Sequence, residues 1–209
     1  LQDKLPVVEA KLEAVCSEAK GISTVQRRQR FFVRHNDDIT CTALHPELEM
    51  VATGQSMAAK QRVSDGDTSG NGGQVYIWNA RTVGVKGVST EPKKLQLPDS
   101  DTAVCAMAFS ADGWLLTTVS AQHDTSTHHV RVWDWERGVL HCSAVACRGD
   151  PPHVYGCVWN QFESWEADAD GKLPEGISSF VTYGRKSIMM WEYMMGEEGR
   201  PPSIQAPQR

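Results

Sequence analysis

Val130-Arg131-Val132-Trp133-Asp134 is a short alternating apolar run that ends in tryptophan and an acid. Val75-Tyr76-Ile77-Trp78-Asn79 and Ser187-Ile188-Met189-Met190-Trp191-Glu192 have the same form. Alternating Val, Ile and aromatic residues suit a half-buried β-strand. Upstream of each lies a run of small and apolar residues: Ile39 to Pro46, Ala103 to Ser110 and Val154 to Asn160. Between the two types come Met50-Val51-Ala52-Thr53-Gly54, Leu115-Leu116-Thr117-Thr118-Val119-Ser120 and Phe180-Val181-Thr182-Tyr183-Gly184. The same order therefore occurs three times: small-residue strand, turn, strand ending in Thr, Ser or Gly, loop, strand ending in Trp.

Each passage reads as one four-stranded blade of a WD40 β-propeller, so the fold class is all-β. The tryptophans are 55 residues apart (78 to 133) and 58 apart (133 to 191), against about 40–45 for such a repeat. Polar inserts account for the excess: 56–73, rich in Gly, Ser, Asp and Asn; 123–129; and 162–176, with five acids. Loops between strands lengthen at little thermodynamic cost. The expected segments are a helix at 1–22, blades at 23–80, 81–136 and 137–195, and a Pro-rich tail or linker at 196–209. About three blades do not close a ring that needs about 4–8, so open sheet edges are expected.

In blades of this kind a loop His, a strand Ser or Thr, a turn Asp and the strand Trp can hydrogen-bond together. His35, Thr53 and Trp78 supply that set in the first repeat, with Asp67 a weak candidate for the turn. Ser120, Asp124 and Trp133 supply most of it in the second, and Thr182 and Trp191 supply part of it in the third. These are expected to be structural positions, not catalytic ones.

The composition of the 209 residues is that of a globular protein, 40% hydrophobic and 22% charged. A net charge of −5 argues against non-specific nucleic-acid binding, which needs clustered positive charge. No apolar run approaches the roughly 18–20 residues of a membrane span, and Leu1-Gln2-Asp3-Lys4 does not open a signal region. The expectation is a cytoplasmic chain, part of a longer polypeptide, with no nucleic-acid or membrane partner. Its six cysteines lie mostly in apolar runs and read as reduced core residues.

His35-Asn36-Asp37-Asp38-Ile39-Thr40-Cys41, Leu44-His45-Pro46 and Val51-Ala52-Thr53-Gly54-Gln55 together resemble the opening repeat of the echinoderm microtubule-associated protein-like family. Val130-Arg131-Val132-Trp133-Asp134-Trp135 and Tyr183-Gly184-Arg185-Lys186-Ser187 with Trp191 are similar to its next two repeats. The resemblance covers residues 30–192 and identifies a divergent, partial member. It implies a non-enzymatic cytoskeletal scaffold built on tandem propellers. The implied partners are tubulin, the microtubule lattice and neighbouring microtubule-associated or axonemal proteins. The implied location is the cytoskeleton, and within it the cilium or flagellum axoneme. The alternative is a general WD40 adaptor that organises a soluble complex, because one fold hosts many partners.

Two segments are candidates for contacts. In residues 1–20, Leu5, Val8, Leu12, Val15 and Ala19 form one helical stripe, with Pro6 in the first turn and Gly21 at the end. Arg27, Arg28, Arg30 and Arg34 place four positive charges within eight residues, beside Phe31 and Phe32. Such a cluster suits an acidic surface such as the microtubule exterior.

No metal or cofactor is expected. Asp65–Gly70 and Glu166–Gly171 imitate the start of a calcium loop, but Tyr76 and Ile177 stand at the twelfth position, where a bidentate Glu belongs. Cys142, Cys147, His153 and Cys157 match no common zinc spacing, and His123, His128 and His129 lack a partner pattern. No phosphate loop, nucleophile elbow or His-Glu-x-x-His is present, and no catalytic residue is assigned.

Overall fold

The computed structural model describes residues 32, 34–35, 37–56, 73–83, 91–98, 100–122, 127–147, 154–161, 177–196 and 200–206. The chain divides into two units, Leu1–Phe32 and Val33–Arg209. Only Phe32 of the first is described, so the expected helix at 1–22 lies outside the described residues, as do Arg27, Arg28 and Arg30.

The second unit holds twelve described strands in three four-stranded antiparallel sheets. The first sheet is β1 (Ile39–Leu44), β2 (Met50–Gln55), β3 (Val75–Asn79) and β4 (Lys93–Leu95), in that spatial order. The second is β5 (Asp101–Phe109), β6 (Leu115–Gln122), β7 (His128–Asp134) and β8 (Val139–Cys147). The third is β9 (Val154–Trp159), β10 (Ile177–Gly184), β11 (Ser187–Met194) and β12 (Ser203–Gln205), paired in the same meander. This is an all-β stack of propeller blades.

Each sheet takes its fourth strand from residues beyond its Trp strand, so the sheets end at 95, 147 and 205. The segments read from sequence end at 80, 136 and 195, and β12 falls within the expected tail. The inserts also differ in placement. Residues 57–72 and 123–126 join the second strand of a sheet to the third, whereas 162–176 join the first strand of the third sheet to its second.

The middle sheet is covered on both faces. Phe109, Leu116, Trp133 and Trp135 pack with Ala52, Ile77 and Leu95 of the first sheet. On the other face, Leu115, Val119, Val130 and Val132 pack with Trp159, Phe180, Trp191 and Tyr193 of the third. Successive residues of a strand point to opposite faces, which is why β6 is buried along Leu115–Ser120 while β11 alternates. Burying side chains of this size stabilises by about 1.5–3 kcal/mol each. On the outward face of the third sheet Val158, Tyr183, Ile188 and Met190 stay exposed. The stack is therefore open at that side among the described residues.

Polar contacts fix how the sheets meet. Thr40 Oγ1 donates to Gly54 O at 3.1 Å and to Val104 O at 2.5 Å. Gly54 is a glycine because a Cβ there would lie 2.8 Å from Val104 Cγ1 and 2.9 Å from Cys41 Sγ. Between the second and third sheets, His141 Nδ1 and Tyr193 OH are 2.8 Å apart. The five cysteines among the described residues are free thiols. Burial pushes Cys41 and Cys142 up to about 12, so they are protonated at neutral pH.

Candidate functional site

In the first sheet one polar chain runs from Trp78 to Gln55. Thr53 pairs with Tyr76 across the β2–β3 ladder, which puts Trp78 two residues further along the same face. Trp78 Nε1 donates to Thr53 Oγ1 at 3.2 Å. His35 sits just before β1, its Nε2 2.7 Å from Thr53 Oγ1 and its Nδ1 2.7 Å from Gln55 Oε1. Gln55 Oε1 can only accept, so the hydrogen is assigned to Nδ1 from the network. Nε2 then accepts from the Thr53 hydroxyl, and the chain is consistent from indole to amide. The His35 ring also meets Tyr76 edge-on at 5.0 Å. Gln55 is a member of the set that the sequence reading did not name, and Asp67, the candidate for the turn, lies outside the described residues.

Burial lowers the pKa of His35, with the Gln55 contact opposing it. A lowered pKa means that the folded state prefers neutral imidazole. The stability that depends on keeping buried His35 neutral is complete above the ordinary value of 6.5 and is lost as the pH falls below it, because the unfolded chain binds the proton first. A His35→Gln variant should flatten that acid dependence in thermal melts, while the wild type loses stability below pH ~6.5.

The second sheet differs from the sequence reading at Ser120. Trp133 Nε1 donates to Thr118 Oγ1 at 2.9 Å, not to Ser120. Register is the reason: Thr118 lies opposite Arg131, two residues before Trp133, as Thr53 lies opposite Tyr76. In the third sheet Thr182 lies opposite Met189, and Trp191 Nε1 donates to Thr182 Oγ1 at 2.9 Å. The signal was present in the sequence: Thr is the fourth residue in each of Met50–Thr53, Leu115–Thr118 and Ser179–Thr182. Asp124 lies outside the described residues.

Ser120 belongs instead to a buried ion pair. Asp101 and Arg131 are 0% and 5% exposed. The Arg131 guanidinium donates to both Asp101 oxygens, with Nη2 to Oδ1 at 3.3 Å. Ser120 Oγ donates to Asp101 Oδ2 and accepts from Arg131 Nη1 at 2.6 Å. Asp101 is the first residue of β5, whereas His35 lies ahead of β1. The Asp101, Ser120 and Arg131 side chains hydrogen-bond one another within the second sheet.

Replacing Thr118 with Val removes the acceptor of the buried Trp133 indole N–H without changing shape. A buried donor left unmade costs about 1–3 kcal/mol. Urea denaturation should show that loss for Thr118→Val, and a similar loss for Thr182→Val.

Of the four arginines, only Arg34 is described. It is exposed at the head of β1, with Nη2 3.5 Å from Glu91 Oε1. A surface pair of that length contributes little, so the guanidinium can exchange to another carboxylate. The zinc candidates are not assembled. Cys142 and Cys147 lie on β8 and Cys157 on β9, with His153 outside the described residues. Among the described residues no group of three His, Cys, Asp or Glu side chains is placed to hold a metal. The calcium-loop look-alikes and His123 lie outside the described residues.

No family model matches the chain. Among curated proteins, it is 32% identical over 172 residues to the 77 kDa echinoderm microtubule-associated protein of Strongylocentrotus purpuratus, covering 82% of this chain and 21% of that one. It is 34% identical over 125 residues to echinoderm microtubule-associated protein-like 2 of Rattus norvegicus, covering 59% of this chain and 17% of that one. The chain thus spans about a fifth of the length of these relatives. Among solved structures, Kluyveromyces lactis Hsv2 superposes with a TM-score of 0.50 at 14% identity, over 83% of this chain and 47% of that one. With three Trp-bearing blades and this similarity along most of its length, the chain is a divergent WD40 relative of the echinoderm microtubule-associated protein-like family.

Proposed function

We propose that the chain is the WD40 part of a microtubule-associated scaffold protein of the cytoplasmic cytoskeleton and, at a finer level, of ciliary or flagellar axonemal doublets. The observation that supports it most is the similarity, over 82% of the chain, to a relative named for its association with microtubules. The role is mechanical and not enzymatic. The His35–Thr53–Trp78 chain, the Thr118–Trp133 and Thr182–Trp191 pairs and the Asp101–Arg131 pair hold strand to strand. The rigid sheets then present loops and edges to tubulin and to neighbouring lattice proteins.

Arg27, Arg28, Arg30 and Arg34 are the proposed contact to the acidic lattice. At about 0.5 kcal/mol per exposed charge, changing all four to Gln removes about 2 kcal/mol, a roughly thirty-fold weaker Kd. Pelleting with stabilised microtubules should weaken by that order, and the variant should lose most of the wild type's sensitivity to salt. Equal pelleting of the two proteins would remove the arginines from the interface. No pelleting of either would favour an adaptor of a soluble complex.

A further inference from the structure

A groove lies at one end of the first two sheets, apart from the Thr–Trp pairs and the Asp101–Arg131 pair. It lies where the β1–β2 turn meets the β5–β6 and β7–β8 turns, and its volume is about 340 Å³. His45 and Gly113 form its floor, with His45 Nε2 donating to Gly113 O at 3.1 Å. Trp114 and Leu48 form its apolar wall and are 74% and 50% exposed. The backbone beneath the indole is fixed: Asp112 Oδ1 accepts from Trp114 N at 3.0 Å and from Ser110 Oγ at 2.5 Å.

The rim is acidic. Glu47, Asp112, Asp134 and Glu136 line it against one cation, Arg137. Arg137 is already engaged, with Nη1 3.1 Å from Asp134 Oδ2. Among the described residues neither Glu47 nor Glu136 has an ion-pair partner. A cleft with carboxylates of one sign and apolar walls focuses its field on an incoming cation. An exposed indole adds a ring face on which a guanidinium can stack.

We propose that this groove docks a basic segment of a partner polypeptide, with an arginine side chain laid on Trp114 and its guanidinium held by Glu47 and Glu136. Charge complementarity selects this occupant, because the rim repels an acidic segment. Arginine fits better than lysine because its planar head stacks and bonds carboxylates two at a time. The groove is also remote from Arg34, the described member of the proposed lattice contact. Arg34 precedes β1 and His45 follows it, so the two ends are separated by the six residues of β1, roughly 20 Å at ~3.3 Å per residue. A partner seated in the groove leaves Arg34 uncovered, which is what a bridge between an acidic lattice and a basic protein requires.

The test is fluorescence anisotropy on the full chain, with a fluorescein-labelled peptide of four arginines spaced by alanines and the same peptide with citrulline in place of arginine. The arginine peptide should bind saturably at low salt, and the citrulline peptide should not. Glu47→Gln with Glu136→Gln, and separately Trp114→Ala, should each weaken binding by about tenfold or more. The altered side chains lie on the surface, and circular dichroism checks that the fold is retained. Absence of binding by the wild type, equal binding of the citrulline peptide, or binding that survives either set of substitutions would overturn the proposal. Microtubule pelleting of the double-Gln variant should equal that of the wild type, so this test and that of the lattice contact fail independently.

Discussion

Asp101→Ala destabilises the protein by about 3–5 kcal/mol. The carboxylate is fully buried and, among the described residues, is the counter-charge of a guanidinium that is itself 5% exposed. Removing it leaves Arg131 charged, desolvated and bonded only to the Ser120 hydroxyl. Against a total stability of about 5–15 kcal/mol for a domain, that loss removes a large share of the margin that keeps the chain folded. The loss measures the stranded cation and not the net worth of the pair. Asp101→Leu with Arg131→Met should therefore recover most of it, because replacing both members of a buried pair with apolar groups is often neutral. Chemical denaturation of the single and double variants checks both statements. A double variant no more stable than Asp101→Ala would mean that the pair holds the sheet by more than charge compensation.

The second large effect is expected at Gly113. Its φ is 75°, a region L side chains adopt at a cost of roughly 1–2 kcal/mol. An added Cβ would also lie 2.2 Å from the Cε1 and Nε2 atoms of His45. The histidine must then leave a position that several groups define. Its ring is 5.1 Å from Phe109 and 5.7 Å from Trp135, and Trp135 Nε1 donates to Gly113 O at 2.7 Å. Gly113→Ala should cost about 2–4 kcal/mol by this combination of strain and lost contacts. Gly138, with a similar φ of 71°, has nothing within 4 Å of its would-be Cβ. Gly138→Ala should lose only the strain, and comparing the two melts separates the terms.

The strands that carry tryptophan, and those before them, were legible because their alternation places one face against a neighbouring sheet: Val75 and Ile77 in β3, Trp133 in β7, and Trp191 in β11. The fourth strands were not. β4 (Lys93–Leu95) and β12 (Ser203–Gln205) are three residues long, mix polar and apolar side chains and have no period to read. The sequence offers Thr117, Thr118 and Ser120 in one run, and register, which no local pattern shows, decides that Thr118 is the hydroxyl that faces the indole. The Asp101–Arg131 pair spans 30 positions and two strands, so no local pattern announces it. The groove at Trp114 is assembled from turns of two sheets, and turns carry no periodicity. Arg34 is the only member of the arginine cluster whose position is described.

One measurement bears on the functional reading most directly: co-sedimentation of the chain with stabilised microtubules across a range of tubulin concentrations at low salt. A microtubule-associated scaffold predicts pelleting that rises with tubulin and saturates, and that weakens as salt is added. A chain shown to be folded by circular dichroism that stays in the supernatant at every tubulin concentration would contradict it.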